Sequence, residues 1–116
     1  MKVICLGNFP PRQCGIATFT ENLIKAILNA AKTHSTSIEI EVIAMNDCGK
    51  KYSYPDIVKH VIRNEVMDDY IKIADYINKS GADLFLVQHE YGIFGGESGV
   101  LVLGLLRRLK IPIIST

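Results

Sequence analysis

The stretch Leu84-Phe85-Leu86-Val87-Gln88-His89-Glu90-Tyr91-Gly92-Ile93-Phe94-Gly95-Gly96-Glu97 passes from four apolar residues straight into polar and glycine-rich sequence. A continuous apolar run this short reads as a parallel strand covered on both faces. Beyond it, Gly99 to Leu109 is apolar almost all round and predicts a buried helix. Arg107, Arg108 and Lys110 suit the negative C-terminal end of that helix. Ile111 to Ile114 then reads as another strand. Gly95-Gly96 is expected to open the helix and to leave its N–H groups free for an anion. Strand, glycine-rich loop, helix and strand in this order form the unit of a parallel α/β sheet.

The chain begins the same way. Lys2 to Leu6 reads as a buried strand and leads into Asn8-Phe9-Pro10-Pro11-Arg12-Gln13-Cys14-Gly15-Ile16-Ala17-Thr18. Pro10-Pro11 forbids helix locally. Phe19, Leu23, Ile27 and Ala31 then recur at the spacing of one helix face. Thr18 and Glu21 fit a capping box that starts this helix at Thr18, and an earlier start near Gly15 is equally open.

Between these units, Ile38, Ile40, Val42 and Ala44 alternate as a second strand. Asn46 to Pro55 is a loop, and Ile57 to Ile62 is a short third strand. Asn64 is placed to cap a helix with Asp68 and Asp69 near its positive end. Val66, Tyr70, Ile71, Ala74 and Ile77 give that helix its apolar face, and Gly81 ends it. The order β-α-β-β-α-β-α-β predicts a Rossmann-like open parallel sheet with helices on both faces.

At 116 residues the chain amounts to one domain, residues 1–116, and its 48% hydrophobic content is enough for a core. A net charge of +1 with no basic run gives nucleic acid no electrostatic footprint. No apolar stretch is long enough for a transmembrane segment, which leaves only peripheral membrane contact. The short apolar start is a first strand and not a signal peptide. Three scattered cysteines, Cys5, Cys14 and Cys48, suit a reducing cytoplasm. No Cys-x-x-Cys pair and no His/Asp/Glu spacing points to a metal. The chain stops at Thr116 directly after a strand, which reads as a piece of a longer protein.

Loops at the carboxyl ends of strands face the ligand crevice of an open α/β sheet. Both glycine-rich loops are therefore candidates for a phosphorylated or hydroxyl-rich ligand. In the first, Gly15 and Ile16 bring backbone donors, and Arg12 can hold charge in a bidentate way. In the second, His89 and Glu90 can hydrogen-bond vicinal hydroxyls. Gly95 and Gly96 complete the set. Cys14 beside a helix start has no apparent base and reads as a packed cysteine. His34 and His60 read as structural or solvated.

Arg12-Gln13-Cys14-Gly15-Ile16-Ala17-Thr18-Phe19-Thr20 and Gln88-His89-Glu90-Tyr91-Gly92-Ile93-Phe94-Gly95-Gly96-Glu97 closely resemble the N-terminal domain of family 4 glycosyltransferases, in a bacterial, mannosyltransferase-like branch. The second loop is the more specific motif, and the likeness covers essentially the whole chain. It implies the GT-B fold, two Rossmann-like domains facing across a cleft. It also implies retaining transfer of a hexose from a nucleotide-sugar donor to a sugar acceptor, with no cofactor and no metal. By position, Gly15 and Ile16 fall in the loop that approaches the donor diphosphate, and His89 and Glu90 line the acceptor cleft. His89 is the candidate catalytic residue, through acceptor orientation. The family's C-terminal domain, with paired glutamates separated by seven residues, is absent from these 116 residues. The fragment alone is expected to be inactive, completed in the parent enzyme by that missing domain.

Two other classes compete. One is a stand-alone flavodoxin-like or receiver-like binding module. A receiver needs acidic residues after the first strand and an Asp after a central one, where this chain has Gly7-Asn8 and Gln88-His89. A flavodoxin needs a hydroxyl-rich phosphate loop, which Pro10-Pro11-Arg12 does not resemble. The other class is a non-enzymatic interaction domain using an exposed strand edge.

Overall fold

The computed structural model describes residues 1–11, 15–46, 52–88, 94–96 and 99–115. The elements follow the expected order: β1 (Lys2–Gly7), α1 (Gly15–Thr33), β2 (Glu39–Asn46), β3 (Val58–Arg63), α2 (Met67–Lys79), β4 (Leu84–Val87), α3 (Leu101–Leu106) and β5 (Ile113–Ser115). The five strands form one sheet in the order β3-β2-β1-β4-β5. Every pairing is parallel, with Leu6 beside Ile43 on one side and Val87 on the other. This is the Rossmann-like open α/β sheet that the alternating pattern predicts. No helix among the described residues is long and apolar enough to cross a membrane.

Strand alternation sorts the core into two layers. Ile4, Leu6, Ile43, Met45, Phe85 and Val87 face α2 and α3, meeting Tyr70, Ile73, Ile77, Val102 and Leu105. Val3, Cys5, Val42, Ala44 and Leu86 face the other way and meet Ile24 and Leu23 of α1. The helices therefore cover both faces. Burial pushes the Cys5 thiol up to about 12, so it is an inert packing group.

The two faces differ from the sequence reading in instructive ways. α1 starts by Gly15, so Thr18 lies inside the helix and not at its cap. Glu21 reaches forward to Lys25 at 3.7 Å. The buried stripe of α1 is Ala17, Thr20, Ile24 and Ala31, while Phe19 is 54% exposed. Thr20 faces Gly7: a Cβ there would stand 3.5 Å from Thr20 Oγ1 and 2.9 Å from Gln88 Cβ. Small residues face inward, and the helix turns by one position.

α2 is capped at Val66 with no side-chain hydrogen bond, so Asn64 is not its cap. Its Asp69 instead takes the Arg63 backbone N–H at 2.9 Å and the Arg63 guanidinium at 2.8 and 2.9 Å. Ile73 replaces Ile71 in the buried set. Gly81 follows the helix at φ +79°, the left-handed turn expected of it. α3 covers only Leu101–Leu106, shorter than the stretch 99–109, and Val100 and Leu103 are about half exposed at 47% and 48%.

Toward the amino ends of the strands, a polar cluster ties β1, β2 and α2 together. Lys2 Nζ lies 2.9 Å from Glu41 Oε2, and Tyr76 OH donates to Glu41 Oε1 at 2.5 Å. Burial alone would push the Glu41 carboxyl up. The hydrogen bonds from Tyr76 and Lys2 and the Lys2 charge outweigh it, so Glu41 titrates below its ordinary value. His60 packs its ring 4.1 Å from that of Tyr76, which bears out a structural role.

Candidate functional site

The strand order creates the site's position. From β1 the chain moves outward through β2 to β3, then returns to β4 on the opposite side of β1. The loops leaving β1 and β4 therefore diverge from two adjacent strand ends. This is the topological switch point, where open α/β sheets form their crevice. Both loops singled out from sequence leave these two ends.

Gly15 stands in the first turn of the 19-residue α1, at the positive end of its dipole. Among the described residues, a Cβ built on Gly15 meets nothing within 4 Å. Ile16 beside it is half-buried and packs against the core layer that contains Leu6 and Val87. The start of α1 thus reaches over the carboxyl edge of β1 and β4. Arg12, His89 and Glu90, together with Cys14, lie outside the described residues.

Gly95 and Gly96 are placed differently from the sequence expectation. They do not open α3, which starts at Leu101. The Gly95 N–H donates to Tyr70 OH at 3.0 Å, and the Gly96 N–H donates to Glu65 Oε2 at 3.0 Å. Tyr70 is fully buried, and its hydroxyl donates in turn to the Asn64 carbonyl at 2.7 Å. A Cβ on Gly95 would lie only 1.7 Å from that same carbonyl oxygen. These two glycines therefore clamp the β4–α3 loop onto the turn before α2. Their N–H groups already hold protein acceptors, one of them a carboxylate, so they are not free for a ligand anion.

Beneath the loops lies a feature that motif reading missed. Each of the three central strands ends in a buried amide side chain: Asn8 after β1, Asn46 on β2 and Gln88 after β4, at 1%, 8% and 1% exposure. Thr20 of α1 is fully buried beside them and donates to the Ile16 carbonyl at 2.7 Å. Gln88 N–H donates to the Leu6 carbonyl at 2.9 Å, continuing the β1–β4 ladder one step past the apolar run. Asn46 accepts from Tyr54 OH through Oδ1, and its carbonyl accepts from Asn64 N–H at 3.0 Å. The switch point thus has a rigid floor of amides and a hydroxyl. The signal was available in the sequence: three apolar runs each closed by Asn or Gln.

Among the described residues, no group of three or more His, Cys, Asp or Glu could hold a metal ion. No protein-family model matches the chain, and no curated protein matches it.

Proposed function

We propose that this chain is the acceptor-side part of a retaining, GT-B family 4 glycosyltransferase. The parent enzyme transfers a hexose, with mannose the leading choice, from a nucleotide-sugar to a carbohydrate or related acceptor in the cytoplasm. The observation that carries this reading is the meeting of motif and topology. The two loops that resemble the family leave adjacent strand ends at the switch point of a doubly wound sheet. The place of Gly15 in the first turn of α1 supports the donor side of the reading.

The mechanism is one of positioning and preorganised dipoles. N–H groups around Gly15 and Ile16, at the positive end of α1, stabilise the donor diphosphate as charge develops on departure. Arg12 adds a fork of donors for the same charge. His89 and Glu90 hold the acceptor so that one hydroxyl meets the anomeric carbon, a contribution of up to about 7–11 kcal/mol at its best. Gly95 and Gly96 hold their own stretch of chain against Tyr70 and Glu65. The nucleotide pocket and the paired glutamates belong to a second Rossmann-like domain.

The test starts at the gene. A reading frame that continues past Thr116 into a second α/β pattern, with two glutamates separated by seven residues, is the expected result. The full-length product is then screened for nucleotide-sugar hydrolysis and transfer. A stop codon directly after Thr116, or a full-length protein that neither binds nor turns over any nucleotide-sugar, overturns the proposal in favour of a stand-alone binding module.

A further inference from the structure

A groove of about 500 Å³ lies where α3 meets Met67 of α2, next to Gly96, whose added Cβ would stand 2.8 Å from Val100 and 3.0 Å from Leu101. It is lined by Met67, Val100, Leu101, Leu103, Gly104, Arg107 and Arg108, so that apolar side chains and two guanidinium groups share one wall system. Its volume falls within the roughly 300–1,000 Å³ of small-molecule sites. Gly104 is what lets Met67 lie there, because a Cβ at that position would stand 2.1 Å from Met67 Cε. A thioether side chain in the lining can adapt to a bound tail. Arg108 Nη1 donates to the Gly104 carbonyl at 2.7 Å, which holds that guanidinium over the groove. Among the described residues, neither Arg107 nor Arg108 has a carboxylate partner.

We propose that this groove binds a single-chain amphipathic anion, an alkyl or aryl carboxylate. Its tail lies along Met67, Leu101 and Leu103, and its carboxylate pairs with Arg107 and Arg108. The charge complementarity is specific, since guanidinium forks take carboxylates in a bidentate way. A bilayer is the weaker occupant. Arg107, Arg108 and Lys110 fall short of the roughly four to eight cations of a polybasic membrane motif. The proposal is independent of the switch-point site and shares no residue with it.

The test uses the 116-residue chain labelled at its methionine methyl groups, with decanoate as probe below its micelle concentration. Saturable movement of the Met67 methyl signal is expected, while the core Met45 signal stays fixed. Decanol, which lacks the charge, binds at least about tenfold more weakly. The exposed double variant Arg107→Gln/Arg108→Gln loses about tenfold in decanoate affinity with an unchanged Met45 signal, which reports an intact core. Leu103→Ser, also exposed, weakens decanoate and decanol alike. A Met67 signal that never moves, equal binding of decanol, or full affinity in the double variant overturns the proposal. So does flotation of the protein with vesicles of phosphatidylcholine and phosphatidylglycerol that depends on Leu103, which makes the bilayer the ligand.

Discussion

Gly15 and Gly95 show how differently one residue type is used at the two loops. A Cβ on Gly15 meets none of the described residues, so alanine there keeps or slightly raises stability, within about 1 kcal/mol, as a better helix former. Gly95 lies against the Asn64 carbonyl, and alanine there forces two backbone segments apart, at about 2–3 kcal/mol. Urea unfolding of the two variants measures the contrast; equal stabilities would remove the clamp. Tyr70→Phe tests the same clamp from its other side. It leaves the buried Gly95 N–H and Asn64 carbonyl without the hydroxyl that joins them, for a loss of about 2–4 kcal/mol. A loss under about 0.5 kcal/mol would show that the two backbone groups find other partners.

At the scale of elements, the Glu41 cluster joins two strands to one helix through charge. Its carboxyl titrates below the ordinary 4.5 because Tyr76 and Lys2 hold its ionised form against the cost of burial. A carboxylate depressed in the folded state contributes stability above its unfolded value and loses it as pH falls through the native one. Asp69 behaves alike, held down first by its hydrogen bonds to Arg63. Stability is therefore flat from neutral pH to about 5 and declines below it. Glu41→Gln flattens part of that decline. Unfolding midpoints at a series of pH values measure it, and a variant as acid-sensitive as the parent would assign the decline to other carboxylates.

At the scale of the whole molecule, the sheet order supplies the switch point, and the proposed function assigns the chemistry to the two loops that leave it. Under the proposed function, His89→Ala in the full-length protein is expected to lower turnover by about a hundredfold with folding intact, through loss of acceptor alignment. Gly15→Ala should act on the donor side, raising the KM for nucleotide-sugar while leaving the unfolding midpoint nearly unchanged. Near-parental kinetics in both variants, measured by product formation at varied donor and acceptor, would remove the two loops from the site.

The sequence by itself determined the element order, the parallel sheet, the two loops and the Gly81 turn. Those features depend on local chemistry: apolar runs, glycine, proline and helix periodicity. Only the tertiary structure decided which side of α1 faces inward, since Phe19 and Thr20 differ by a single position and it is Thr20 that is buried over Gly7. It also decided the fate of Gly95 and Gly96, whose N–H groups meet Tyr70 and Glu65 from an element some thirty residues earlier. The amide floor of Asn8, Asn46 and Gln88 was written at three strand ends, but each residue read alone as a polite start to a loop. Strand order brought the three to one edge, because proximity across a sheet is set by topology and not by distance along the chain.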